Sequence, residues 1–188
     1  MRKPILFLFF SLISLAVQAQ RKPEPAVAPD MPVDSLTRLI TYEGVLEVKG
    51  VNAAELYKRT QDWFRTYYKN PTEVIRENDS LKMRMTGKPR FKIQNPPDKN
   101  GLKTDAGMVQ YTIMVAAKDG RFRYELTEFN WKQTSYYPCE RWLDESASSF
   151  NPVYFDYLRQ LDATAEQVVT QLHESLSHAK GEKNREDW

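Results

Sequence analysis

Two histidines and one cysteine are the side chains of this chain best suited to metal or nucleophile chemistry, and their spacing favours neither. His173 and His178 are the only histidines. Five residues at about 100° each put them about 140° apart on a helix, so they cannot share a metal as an i, i+4 pair can. His173 shares a helical flank with Asp162 and Glu166, but two or more turns separate them. Cys139, in Tyr137-Pro138-Cys139-Glu140, has no neighbouring histidine or basic cluster to lower its pKa and reads as buried and inert. There is no Gly-rich phosphate loop, no Gly-x-Ser-x-Gly elbow and no Cys/His pair with an orienting partner. Asp144-Glu145, and Asp156 with Asp162, have the residue types for acid–base work. Sugar cleavage, however, is defined by carboxylate separation in space. The sequence thus names no catalytic residue, no metal site and no cofactor, and an envelope hydrolase with an Asp/Glu-based site stands only as the alternative reading.

The chain opens with Arg2 and Lys3, an apolar run from Ile5 to Val17, and small residues at Val17-Gln18-Ala19. That is the layout of a secretory signal peptide, residues 1–19, cleaved after Ala19. The run is short for a membrane span and no later stretch is a second candidate, so no transmembrane anchor is expected. The expected address is outside the cytoplasm. The whole chain has 27 Lys+Arg and 25 Asp+Glu; removal of Arg2 and Lys3 leaves the two signs equal. A nucleic-acid binder should carry a basic excess, and this chain does not.

Any site must be positioned by the elements that follow. Residues 20–36, with Pro23, Pro25, Pro29 and Pro32, read as a linker. Residues 37–178 read as one α+β domain, and 179–188 as a disordered polar tail. Leu39 to Lys49 predicts a strand, with Ile40, Tyr42, Leu46 and Val48 on one face and Thr41, Glu43, Val45 and Glu47 on the other. Asn52 and Glu55 have the layout of a capping box. The helix they open places Leu56, Tyr57, Thr60, Trp63, Phe64, Tyr67 and Tyr68 on one side. Pro71 stops it, and a strand is expected from Glu73. After the turn residues Asn78-Asp79-Ser80, a third strand is expected to alternate Leu81, Met83 and Met85 with Lys82, Arg84 and Thr86. Gly87 and Pro89 interrupt it, and Gln94 to Gly107 reads as a loop.

Val109–Lys118 and Arg121–Trp131 predict a hairpin about Asp119-Gly120, the residues of a type I′ turn. Pairing Lys118 with Arg121 sets Ala117 against Phe122, Val115 against Tyr124 and Ile113 against Leu126. Beyond Leu126 the apolar phase slips by one, which predicts a β-bulge at Thr127-Glu128 that restores Tyr111 to Phe129 and Val109 to Trp131. Lys132–Phe150 is a long connection. Asn151-Pro152 starts a last helix with a stripe of Tyr154, Leu158, Leu161, Ala165, Val168, Val169, Leu172 and Leu176, ended by Gly181. Strand, helix, four strands, helix, with both helices one-faced, predicts an antiparallel sheet with both helices on one side and the other side bare.

That order, the signal peptide, the Glu-Leu-Tyr…Trp-Phe helix, the hairpin Lys118-Asp119-Gly120-Arg121-Phe122-Arg123 and the closing Leu-rich helix resemble the secreted bacterial proteins of domain of unknown function family 4468. The resemblance spans about Thr37 to Ser177. It implies a TBP-like β-α-β-β-β-β-α fold, with an antiparallel curved sheet and two helices packed on one face. It also implies an envelope setting, the periplasm or the exterior of a Gram-negative bacterium, and it brings no catalytic residues. Likeness to the TATA-binding fold is architectural and does not imply DNA binding.

The bare sheet face is the candidate binding surface, represented by Val45, Lys82, Arg84, Met114, Ala116, Arg123 and Glu125. A small apolar centre of Val45, Met114 and Ala116 ringed by charge has the composition of a binding surface; cross-strand ion pairs on a solvated face would have it too. The leading expectation is a non-catalytic envelope module that binds a protein or glycan there. Homodimerisation through this sheet is the remaining alternative.

Overall fold

The helical stripe is borne out where the sequence places it. In the computed structural model, which describes residues 27–178, α1 spans Ala53–Tyr67 and buries Leu56, Tyr57, Thr60, Trp63 and Phe64. Asn52 caps it by accepting the Glu55 N–H at 2.9 Å. Only half of the capping box forms, because the Glu55 carboxylate turns to Arg59 at 3.0 Å. A single turn, α2 (Pro71–Val74), follows with Pro71 as its first helical residue. The long helix α3 spans Val153–Ser177, with the Asn151 carboxamide accepting the Val153 N–H. Of the expected stripe Leu158, Leu161, Ala165, Val168, Leu172 and Leu176 are buried and Tyr154 and Val169 partly so, and Phe155 and Tyr157 are buried in addition. The extra width lies at its first turns, where the Phe150 ring packs tilted against Phe155 and Trp142 meets Tyr157 edge-on. The signal peptide, the linker up to residue 26, Gly181 and the polar tail lie outside the described residues.

Seven strands make one antiparallel sheet: β1 (Tyr42–Glu47), β2 (Ile75–Asp79), β3 (Arg84–Gly87), β4 (Arg90–Gln94), β5 (Asp105–Lys118), β6 (Arg121–Lys132) and β7 (Tyr136–Pro138). The order is β1-β6-β5-β3-β2, with β4 also pairing β5 and β7 also pairing β6. The central hairpin has the expected register from Lys118↔Arg121 through Ile113↔Leu126, and beyond it Val109 faces Trp131. The slip falls opposite Tyr111, and Glu128 takes φ +54° there. A bulge residue in the left-handed region gives the extra residue of one strand a place to sit. It stacks Tyr111 on Phe129, ring centroids 5.4 Å apart. The turn is not type I′, since Gly120 has a positive φ and Asp119 does not. Tertiary contacts hold it instead. The Asp119 carboxylate accepts the Ala53 N–H at 2.7 Å. Gly120 accepts from Val48 N–H and donates to Val51 C=O, both at 2.8 Å.

Four further expectations are corrected. The second strand starts at Ile75, because Pro71 opens a helical turn. Leu81 and Lys82 lie outside the third strand: the Asp79 carboxylate accepts both of their N–H groups at 3.0 Å. The resulting loop leaves Leu81 94% exposed. A separate strand, β4, lies between Pro89 and the expected loop and takes Gln94 from it, β5 takes Asp105–Gly107 from the loop's other end, and the long connection contains β7 and a 3₁₀ turn at Cys139–Leu143. Packing also begins before Thr37: Met31 is buried, and Val33 bridges Ile40. The inward residues of β1, β3, β4, β5 and β6 share one core with the stripes of α1 and α3. Both long helices therefore lie on one side of the sheet. Where α1 crosses β3 the approach is close; a Cβ on Gly87 would come within 2.8 Å of the Phe64 ring.

Candidate functional site

Pairing fixes which side chains share the uncovered face, because directly opposed residues of an antiparallel pair point the same way. Val45, Arg123, Ala116, Arg84 and Asp79 form one row across five strands. Glu43, Glu125, Met114, Thr86 and Glu77 form the next. Six of the seven candidate residues are thus brought together. Lys82 is not among them; it sits in the 80–83 loop and pairs with Asp79 at 3.3 Å.

Glu43 stands directly opposite Glu125, an arrangement that repels unless a cation intervenes. Arg123 supplies it: one guanidinium nitrogen donates to Glu43 at 2.8 Å and to Glu125 at 3.2 Å. On the other flank Arg84 donates to Glu77 at 2.7 Å, and Thr86 Oγ1 donates to the second oxygen of the same carboxylate at 3.1 Å. The Arg84 hydrogen bond, with help from Thr86, holds the Glu77 carboxyl below its ordinary pKa. Thr112 donates to Glu128 at 2.6 Å and Lys88 pairs with it at 3.2 Å. The Thr112 hydrogen bond is the main reason its carboxyl is held low. Between the charged flanks lie the half-buried Met114 and Ala116 of β5, and Val45, 58% exposed, stands on β1 beyond Arg123.

Glu77, Asp79, Thr86 and Glu128 belong to this face and were not among the candidates. The four-residue loop at 80–83, read from sequence as a tighter turn, hides the Glu77–Arg84 pairing. The bulge hides Glu128.

The residues with potential for other chemistry do not converge. Asp144 accepts from Ser146, Asp156 pairs with Arg159, and Asp162 accepts the Tyr42 hydroxyl at 2.7 Å. His173 lies beside the Phe122 ring. Cys139 is buried, and burial, with Glu140 next to it, pushes its thiol pKa up. Among the described residues no three His, Cys, Asp or Glu are grouped to hold a metal ion, and no helix is long and apolar enough to cross a membrane.

Residues 42–132, from β1 through β6, match a family model described as a domain of unknown function (DUF4468) with TBP-like fold. Over these residues the chain is similar to that family. The match is narrower than Thr37–Ser177, and α3 lies beyond it. A DUF4468 family protein from Bacteroides ovatus is similar in structure, with TM-score 0.63 and 16% identity, over 79% of this chain and 92% of that one. A TBP-like protein from Parabacteroides distasonis is similar with TM-score 0.57 and 13% identity, over 76% and 95%. At such identities the fold is what is shared. No curated protein matches the chain. The chain therefore has a TBP-like α+β fold, with its candidate face on the side of the sheet away from α1 and α3.

Proposed function

We propose that the chain is exported after cleavage at Ala19 and acts as a non-catalytic binding module, presenting the central two rows of its uncovered sheet face to a protein partner. The observation that carries this reading is the face itself. Ala116 and Met114 on β5 form an apolar strip between Arg123, held by two carboxylates, and the Arg84–Glu77 pair, and Val45 adds an exposed apolar side chain on β1 beyond Arg123. Charges already paired within the module lose less on being covered than isolated ones. Such pairs also fix the register of an incoming surface more than they add affinity. The two rows contain no aromatic ring on which a sugar could stack, which favours a protein over a glycan.

The test is a photo-crosslinking amino acid at position 45, in cells that make the protein. The expected result is one discrete protein adduct, lost in Met114→Glu and weakened in Arg123→Gln, with none formed from position 58 on the outer side of α1. An adduct that persists in both folded variants would overturn the reading. An adduct of twice the chain mass would replace the partner with a second copy. Glycan-array binding lost in Met114→Glu would replace it with a sugar.

A further inference from the structure

The chain crosses from β3 to β4 at Lys88-Pro89, and this crossing edges a cleft of about 300 Å³ between the end of α1, α2 and the sheet. The backbone there is pinned. Lys88 N–H donates to Val74 C=O at 2.8 Å, and Tyr111 N–H donates to Pro89 C=O at 3.2 Å. Pro89 is buried and has a restricted φ. Lys88 and Arg90 therefore leave from the two sides of a fixed proline, and Lys69, just past the end of α1, adds a third cation to the lining. Val74, Pro89 and Met108 make its apolar part, and Glu73 is the single carboxylate.

Lys88 pairs with Glu128. Among the described residues neither Lys69 nor Arg90 has a carboxylate within 4 Å. Lys92, Met108 and Lys132 share a row at this end of the sheet, far from the Arg123 and Arg84 rows, with Lys92 paired to Asp105 at 3.5 Å.

We infer that this cleft binds a small anionic amphiphile, its carboxylate or phosphate held by Arg90 and Lys69 and its apolar part laid on Val74, Pro89 and Met108. Free cations on a rigid scaffold give an anion charge-assisted hydrogen bonds, and a guanidinium can engage two oxygens at once. The volume is at the lower end for ligand pockets, so it takes a head group and a short apolar stretch. Glu73 repels a second negative charge placed beside it and so favours a monoanion. A free amphiphile in solution and the head group of an anionic lipid present the same chemistry.

The experiment titrates the full chain with octanoate, octanol and inorganic phosphate, following backbone amide shifts. Octanoate is expected to saturate and to move the amides of Lys69, Val74, Arg90 and Met108, with octanol and phosphate each about ten-fold weaker or more. Arg90→Gln and Lys69→Gln should each weaken octanoate about ten-fold, a loss of ~1.4 kcal/mol. Lys58→Gln, on the outer side of α1, and Arg123→Gln, in the central rows, should leave it unchanged. Sedimentation with phosphatidylglycerol vesicles but not phosphatidylcholine vesicles, lost in Arg90→Gln, would name a lipid as the source. Octanoate binding without sedimentation would name a free amphiphile. The inference is overturned if octanoate fails to saturate at the cleft, if octanol binds equally well, or if both variants, folded by their amide spectra, bind as the wild type does.

Discussion

Trp63 and Trp131 pack into the same core but differ in one atom's surroundings, and that difference sets the cost of replacing each with phenylalanine. Trp63 is 3% exposed, stacks on Tyr67 at 4.8 Å and meets Phe64 and Tyr68 edge-on, yet its indole N–H is buried without a partner. Trp131 is half-buried, and its N–H donates to Ala106 C=O at 2.8 Å. Replacing a buried Trp by Phe removes on the order of 50 Å² of ring surface and leaves a small void, together about 2 kcal/mol. At Trp63 the same change also removes a stranded donor whose desolvation already costs about 1–3 kcal/mol, so Trp63→Phe should stay within about 1 kcal/mol of wild type. At Trp131 the ring contributes less, but a hydrogen bond is lost and the Ala106 carbonyl is left stranded, for a total of about 2–4 kcal/mol. At roughly 2–4 °C per kcal/mol for a chain of this size, the two variants should differ in Tm by about 5–10 °C. Urea titration followed by far-UV circular dichroism measures both. Trp63→Ala, at about 3–5 kcal/mol, and Arg65→Ala, below about 0.5 kcal/mol, bracket the scale and test which side of α1 is wet. A Trp63→Phe loss equal to that of Trp131→Phe would mean that the Trp63 N–H has a partner after all and that its burial carries no such cost.

Gly87→Ala should cost about 1–3 kcal/mol by overpacking, since the added methyl meets Phe64 at 2.8 Å and Val74 at 3.1 Å; a neutral result in thermal melts would show that α1 can lift off β3. The acid limb of stability should follow the carboxylates held low on the sheet face. Glu77 and Glu128 have folded pKa values depressed by Arg84 and Thr112 respectively. Their contribution is therefore present above the ordinary value of about 4.3 and lost as pH falls through the folded values. Tm should be flat from pH 7 to about 5 and fall below about 4, less steeply in Thr112→Val, and an unchanged acid limb in that variant would count against the Thr112–Glu128 bond. The Cys139 thiol, buried with its pKa raised, should stay unlabelled by iodoacetamide at pH 8 in the native state and react fully in urea; rapid native labelling would place it at the surface.

The parts of this fold legible in the sequence are those where two independent signals agree. The α1 stripe agrees with its Asn52 cap, and the hairpin alternation agrees with Asp119-Gly120 even though the turn takes another conformation. A phase slip of one residue in an otherwise regular pattern has few physical solutions, which is why the bulge at Glu128 could be placed to within a residue. β4 escaped because Arg90-Phe91-Lys92-Ile93-Gln94 is short and sits behind a proline. Nothing local says that its backbone will find β5, and its end is secured by Gln160 of α3, which bonds both the N–H and the C=O of Gln94. Leu81 was misplaced because a carboxylate two residues earlier captured the backbone into a loop. A side-chain acceptor of that kind competes with strand pairing at a strength that composition does not reveal.

The candidate face follows the same logic, one level up. That Val45, Met114, Ala116 and Arg123 point away from the helices is a matter of period two, and the sequence contains it. That Arg123 stands between Glu43 and Glu125 depends on β1 lying beside β6, a pairing across some 80 residues that alternation leaves open. The cleft at Lys69, Lys88 and Arg90 is further removed still. It draws on the end of one helix, a one-turn helix and a strand crossing, and it exists because Pro71 and Pro89 each interrupt a regular element where the two interruptions meet. Local pattern therefore sets the side of the sheet on which a charge appears, and long-range pairing sets which charge is its neighbour. For that reason the substitutions with most to say about function here are neutralising ones, Arg123→Gln and Arg90→Gln. Each keeps the strand pattern intact while removing one cation from a neighbourhood that only the folded chain creates.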